Sequence, residues 1–469
     1  MTGFTEDEKM LSAFGRASFL QMWTWPNLFR DQGKTSSGSD GKEICDLIVV
    51  FGSNIILFSD KRIVFNLDKT LEVAWSRWAR RAVHDSFKQL QGAERWLKYY
   101  PDRVYIDKSC SERLPISLPP AEGMKFIRVV VTHGIEEIPQ VRGNEGSLSF
   151  CNQLKGAENW QQPSAIPFTL GRISESDFVN VFTDETIKLV LSEFDTAKDF
   201  VSYLDQRESL FKLDKPISVS KESDIIHLFY ENYADRERSR VILSAPELSG
   251  EIVTIRKKPI TALYTNHQFV SKKQADSISY FWDRLIDSFA FHALKGTSLH
   301  ANWSHTSEIE PAIRVMAEPG RFDRRVLSEA FMAFYRKALP GQRGTRLFYN
   351  PPDPSVGYLF LLLPDVEKNG STRSYRDLRN QMLQDYALIY GGIHSKLSSL
   401  VGIAAQTRND DAPLNERFFD EGQDYVYMDC NNWAPEKIEA SKTLRVEYEK
   451  NGLIAKRTMF RWVSHEFPI

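Results

Sequence analysis

The stretch "GKEICDLIVVFGSNIILFSDKRIVF", Gly41–Phe65, decides how the first part of the chain folds. Its two apolar runs, LIVVF and IILF, flank Gly52-Ser53-Asn54. Short apolar runs bounded by turn formers predict two buried strands joined as a hairpin. Asp46 opens the first strand, and Asp60 and Lys61 close the second. Two explanations account for charge at neighbouring strand ends. Charges there limit edge-to-edge aggregation. A carboxylate and an amine can also belong to a metal site that cuts a phosphodiester.

Working outward, Thr5 followed by Glu6, Asp7 and Glu8 is a helix start, with Leu11, Phe14 and Ser18 at helical spacing. Lys34–Lys42 is small and polar and predicts a loop. From Leu71 to Lys98, residues Trp75, Trp78, Ala82, Val83, Leu90 and Leu97 recur at threes and fours, the pattern of a long amphipathic helix. The tryptophans fall at core spacing rather than as base-stacking platforms. Pro101 stops that helix, and Arg103–Asp107 and Met124–Gly134 read as strands. The first 150 or so residues are thus one α/β unit.

A polar stretch around Asn144–Ser164 marks an expected boundary near residue 155. Beyond it, a strand passes into helix after Phe178, and Ser279–Gly296 is a helix ended by glycine. A helical block over residues 311–339 is broken at Pro319-Gly320. Gly357–Pro364 and Leu400–Thr407 are strands around a helix from Ser374 to Gly392, which suggests a parallel β-α-β unit. The expected domains are therefore 1–154 and a larger α/β region, 155–469, with a further division near 275.

A chain of 469 residues with 42% apolar and 26% charged residues suits a few globular domains with sizeable cores. A net charge of -2 excludes a globally basic coat protein but leaves room for a local basic groove. Cys45, Cys110, Cys151 and Cys430 are far apart and form no CxxC pair, which fits a reducing compartment. The acidic N-terminus is unlike a signal peptide, and no apolar run is long enough to span a membrane. A cytoplasmic protein with no membrane partner is expected. No P-loop or Gly-x-Ser-x-Gly turn occurs, and His300 and His305, the only two histidines close together, lack further ligands at metal spacing.

The order helix, acid-led strand, turn, strand ending near lysine, long helix, strand resembles the PD-(D/E)XK, or restriction-endonuclease-like, nucleases over about residues 5–110. The resemblance rests on "EICD" and "SDK". It implies a mixed sheet flanked by helices and a nuclease dependent on Mg²⁺ or Mn²⁺. Asp46 is then the first metal carboxylate and Lys61 the motif lysine, which orients water and offsets developing charge. The motif acid two residues before the lysine is replaced by Ser59. Two arrangements supply the second acid. Glu72, at the start of the long helix, resembles the displaced acid of some restriction enzymes. Otherwise a bulged strand brings Asp60 to the metal. Strand alternation, which turns Asp60 away from Lys61, favours Glu72. Glu43 is a third nearby acid, Gln89 resembles a helical glutamine of related exonucleases, and Glu6 or Glu8 of the first helix can assist.

Arg77, Arg81, His84, Lys88 and Arg95 form one stripe on the long helix, read either as a phosphate track or as a solvated helix face. Arg321, Arg324 and Arg325, in an arginine-rich stretch over 314–346, form a second expected nucleic-acid contact. The implied function is cleavage of nucleic acid, expected to be DNA, in bacterial or phage defence, with a homo-oligomer or a partner protein of a defence system. The alternative is a degenerate nuclease fold that binds nucleic acid or acts as a scaffold.

Overall fold

The computed structural model describes residues 5–33, 40–174, 176–234, 239–240, 242, 253–255, 257–297, 306–349, 353–364, 375–407, 418 and 422–454. Most of the expected loop at 34–42, and both His300 and His305, lie outside them. The described chain is an α/β protein in two compact units, divided between Gln274 and Ala275.

The first unit is built on a five-stranded sheet. Helix α1, Glu6–Phe19, starts at the expected capping box, in which Thr5 and Glu8 bond reciprocally. Strands β1 (Thr24–Pro26), β2 (Leu47–Phe51) and β3 (Asn54–Arg62) follow, each antiparallel to the one before it. Helix α2 runs through Leu71–Ala79, a π-helical turn at Arg80–His84, and Asp85–Tyr99. Strands β4 (Lys125–His133) and β5 (Asn180–Thr183) then add in parallel, giving the order β1-β2-β3-β4-β5. Arg103–Asp107 makes no full strand; Tyr105 forms single bridges to Phe29 and Arg113.

The boundary expected near residue 155 is not where the unit ends. Strand β5 lies beyond it and completes the first sheet on β4. Ser149–Lys155 itself is a strand of a second, four-stranded sheet in the same unit, with Thr169–Arg172, Ile217–Val219 and Val253–Thr254. Polar composition there marks a surface-lying strand, whose pairing partners come from far along the chain.

Alternation along β3 sorts the side chains to two faces. Phe58 points to α1, where its ring centroid is 6.5 Å from that of Phe19. Gly15 lets α1 approach this face closely: a Cβ there would stand 3.0 Å from the Leu47 side chain. Helices α3 (Asp184–Glu193) and α4 (Ala197–Phe211) cover the same face, Phe200 meeting Phe19 and Phe58. Helix α2 covers the other face. Its Trp75 and Trp78 are buried and stacked, and Trp78 Nε1 donates to the Ile63 carbonyl at 3.0 Å. Burying two indoles while pairing their N–H groups fixes the helix against the end of β3.

In the second unit, α5 (Tyr280–Lys295), α6 (Thr306–Ala317) and α7 (Arg321–Lys337) precede strands β6 (Gly344–Tyr349) and β7 (Val356–Leu363). Helix α8 (Tyr375–Ile393) then leads to β8 (Ser399–Gln406), parallel to β7, and to the antiparallel β9 (Asp424–Asp429). The parallel β-α-β unit is the one its sequence pattern suggests. Every residue of β7 is buried, as expected of a strand covered on both faces. No helix among the described residues is long and apolar enough to cross a membrane.

Candidate active site

The β2–β3 ladder reaches Leu47 opposite Phe58, and one step further sets Asp46 opposite Ser59. Here β2 stops while β3 continues to Arg62 alongside β4. The free side of β3 leaves the Asp60 amide without a ladder partner. Asp46 supplies one: its Oδ2 accepts from that N–H at 2.6 Å. The Asp46 carbonyl accepts from the Asn27 N–H, which ties the same residue to the segment after β1.

Lys61 projects from β3 on the Asp46 side, with Nζ 4.0 Å from Asp46 Oδ2. The Asp46 side chain is only 5% exposed, the Lys61 side chain 36%. Burial dominates the ionisation of Asp46 and pushes its pKa up to about 6, against the lowering pull of Lys61 and of the Asp60 N–H. Glu43 and Asp60 add repulsion. Glu43 is also held above the usual carboxylate range, first by burial, despite a 2.7 Å hydrogen bond to its Oε1 from Asn27 Nδ2. Glu8 Oε2 lies 3.4 Å from the same amide nitrogen. One asparagine therefore links the first-helix acid to the acid beside β2.

Asn27 is a residue that sequence reasoning missed. The signal was present: Pro26-Asn27 is a turn-forming pair, and Asn27 adopts a left-handed φ of 51°, which asparagine tolerates. Its Oδ1 is buried without a hydrogen-bond partner, and so is the hydroxyl of Ser59. Two orphaned oxygens thus accompany carboxylates at one end of the sheet. An all-oxygen set of this kind suits a hard divalent cation. Among the described residues no three His, Cys, Asp or Glu side chains come together as a metal-holding group. The donors suit an open site, at which Asp46 and Glu43 would supply part of a cation's shell. They do not fit a closed cage.

Asp60 faces the other way. It lines a small cavity with Met10, Phe14 and Ile187 of α1 and α3, and its Oδ1 lies 2.6 Å from Nε2 of the buried His133. Arg62, two residues on, grips Asp7 of α1 through Nε and Nη2 at 2.7 and 2.9 Å. Burial lowers the pKa of His133, but Asp60, Asp7 and Asp184 outweigh it and raise the value overall. Asp60 and Arg62 thus fasten the end of β3 to the helices on this face. His133 was not singled out in the sequence, although it closes an apolar strand just before a glycine.

Glu72 is exposed in the first turn of α2, on the helix side that carries Trp75 three residues later. The charges acting most strongly on Asp46 are Lys61, Glu43 and Asp60, and Glu72 is not among them. Glu43 and Glu8 are the acids that meet at Asn27, whose backbone N–H donates to the Asp46 carbonyl. Glu6 pairs with Lys9 at the surface. Gln89 is half-buried on α2. Arg77, Arg81, Lys88 and Arg95 are exposed, with no carboxylate partner among the described residues, whereas His84 sits beside Asp85 and Trp160.

Arg321, Arg324 and Arg325 require correction as nucleic-acid contacts. They are 6%, 1% and 0% exposed. Asp283 accepts from Arg321 Nη1 at 2.7 Å and from Arg324 Nη1 at 2.6 Å, and Asp276 accepts from Arg325 Nη1 at 2.8 Å. These guanidiniums hold α7 to the helices before it and cannot reach a phosphate backbone.

With no cation bound, the Asp46 carboxyl takes up a proton as pH drops through about 6, so a cation held there must displace that proton. Mn²⁺ affinity of the chain measured from pH 5 to 8 should weaken on the acid side by one proton. An affinity independent of pH across that window removes Asp46 as the titrating ligand.

Comparison with protein-family models, with curated proteins and with solved structures gives no match.

Proposed function

We propose that the first unit is a divalent-metal-dependent phosphodiesterase acting on nucleic acid, DNA in the first instance. One observation carries this reading: Asp46 and Lys61 converge from two adjacent interior strands, the carboxylate almost fully buried, beside Glu43. Edge protection does not explain Asp46, because a carboxylate only 5% exposed cannot repel an incoming strand from solvent. Burying a carboxylate at a raised pKa costs stability, and such costs cluster at functional sites. The element order is also the one on which the resemblance to restriction-endonuclease-like nucleases rests. Four free cysteines agree with a reducing, cytoplasmic setting.

In this reading Asp46 and Glu43 would hold the cation, which when bound would supply Lewis acidity toward a phosphoryl oxygen and toward water. Lys61, exposed at the strand end, orients the attacking water and offsets charge developing on the phosphate. Asn27 positions Glu43. The stripe Arg77, Arg81, Lys88 and Arg95 spans 18 residue-to-residue steps along the helix, about 27 Å at 1.5 Å per step, and offers unpaired cations along one duplex backbone.

A second reading is favoured by Ser59, which stands where the resemblance calls for an acid: the same fold binds nucleic acid without cutting it. Incubating the purified chain with supercoiled plasmid, single-stranded DNA and RNA, in Mg²⁺, Mn²⁺ or EDTA, separates the two. Cleavage that needs the metal supports the enzyme. Retained binding with no cleavage of any substrate supports the binding module instead.

The basic stripe has its own test. Reversing Arg77, Arg81 and Lys88 to glutamate should weaken DNA binding and flatten its salt dependence, by about 0.9 in log–log slope for each phosphate no longer neutralised. Filter binding at several salt concentrations reads this directly. An unchanged slope makes the stripe an ordinary solvated helix face.

A further inference from the structure

The second unit contains a site that the nuclease reading does not use. We propose that it binds a small organic monoanion with an apolar body and a hydrogen-bond donor. The site lies at the carboxyl ends of the parallel strands β7 and β8, where α8 begins and where β9 starts with Asp424 opposite Ala404. Ligands of α/β sheets gather at this end of the strands. A cavity of about 110 Å³ opens there, walled by Phe289, Ile313 and Tyr425, with Arg376, Asn380 and Gln423 as polar groups. The Phe289 and Tyr425 rings pack together with centroids 5.0 Å apart.

Gln423 indicates what is to be bound. Its side chain is 7% exposed, and Nε2 donates to the Phe418 carbonyl. Its Oε1 is buried with no partner. A buried amide oxygen on a cavity wall calls for a donor from whatever fills the cavity. The charge comes from the opposite wall. The buried Asp424 accepts from Arg376 Nη2 at 3.1 Å and from Arg379 Nε. Two guanidiniums face the one carboxylate on this wall, next to the N-terminal turns of a 19-residue helix whose first turn also carries Asp377. The Arg376 side chain is 46% exposed and therefore reachable by a ligand, whereas Arg379 is fully buried. The cavity is on the order of the space that holds one six-membered ring. A ligand of this class sets its anionic group at Arg376, its ring against the wall formed by Phe289, Ile313 and Tyr425, and its donor at Gln423 Oε1.

Calorimetric titration of the full chain with 4-aminobenzoate, 4-hydroxybenzoate, benzoate, phenol and inorganic phosphate tests this. The first two carry charge, ring and donor together, and should bind with Kd below about 1 mM. Benzoate lacks the donor, phenol the charge and phosphate the ring, so each should bind at least about tenfold more weakly, about 1.4 kcal/mol. Gln423→Leu should reduce 4-aminobenzoate to the affinity of benzoate. Arg376→Ala should bring 4-hydroxybenzoate down to that of phenol. Circular dichroism and the unfolding midpoint of each variant check that the fold is kept. Failure of both complete probes to saturate by about 1 mM overturns the proposal and leaves a water-filled cavity. Affinities unchanged in both variants overturn it as well, by placing the binding elsewhere.

Discussion

Replacing Asp46 by asparagine is expected to abolish Mg²⁺-dependent cleavage while making the chain harder to unfold at neutral pH. The two effects have one origin. Folding raises the Asp46 pKa from 3.8 to about 6, chiefly by burial. Ionising a group raised in this way destabilises the native state. The penalty is absent below pH 3.8, grows as pH rises through 6, and is then fully present, at about 3 kcal/mol for a shift of this size. Asparagine carries no charge and still offers an oxygen to the Asp60 N–H. It loses the attraction of Lys61, which is partly exposed and contributes little. The expected net gain is about 1–2 kcal/mol at pH 7, read as a higher urea midpoint, and it should vanish near pH 4. The loss of cleavage should exceed about a thousandfold, because one ligand and the partner of Lys61 go together. A variant less stable than the parent at pH 7 makes Asp46 a structural ladder cap rather than a functional carboxylate.

The largest stability loss is expected at Asp283→Ala in the second unit. Asp283 is the shared partner of Arg321 and Arg324, and all three are nearly buried. Removing one partner of a buried ion pair leaves charge without compensation, at about 3–5 kcal/mol. Arg324 also donates to the carbonyls of Ala317 and Pro319, so it cannot swing out to water without opening the break between α6 and α7. Urea unfolding followed by near-ultraviolet circular dichroism should show the loss. A change under about 1 kcal/mol means that the guanidiniums find other partners or solvent. It also follows that charge reversals at Arg321, Arg324 or Arg325 report on folding and not on nucleic-acid affinity.

Those arginines show where reading the sequence stops. Arg321, Arg324, Arg325 and Ser328 recur at three, four and seven residues, the spacing of a buried helix face, yet their composition suggests a solvated one. Only the acids opposite decide the matter. Asp276 and Asp283, seven residues apart, present a matching pattern about 40 residues earlier. Local signals fared better. The hairpin of β2 and β3, the capping box of α1 and the β-α-β unit of the second unit each follow from periodicity and turn residues within a short window. Strand β5 is the strand expected after Phe178, but its place in the first sheet was not legible, because its partner β4 is about 50 residues away and no local pattern records that pairing. At the candidate site, strand alternation alone turned Asp60 away from Lys61, whereas Asp46 and Lys61 were brought together by the resemblance. The link from Glu43 through Asn27 to Glu8 was not legible, since it joins a loop, a turn and a helix.

The most direct measurement is single-turnover cleavage of a labelled DNA duplex in Mg²⁺ by the parent chain and by Asp46→Asn, Lys61→Ala and Asp60→Asn, each checked for an intact fold. Asp46, just before β2, lies beside Lys61 on one face of the sheet, and Asp60 is buried against His133 on the other. Chemistry on the Asp46 face predicts cleavage by the parent and by Asp60→Asn, and none by the other two. Cleavage surviving in Asp46→Asn and Lys61→Ala but lost in Asp60→Asn would contradict this assignment and move the chemistry to the His133 face.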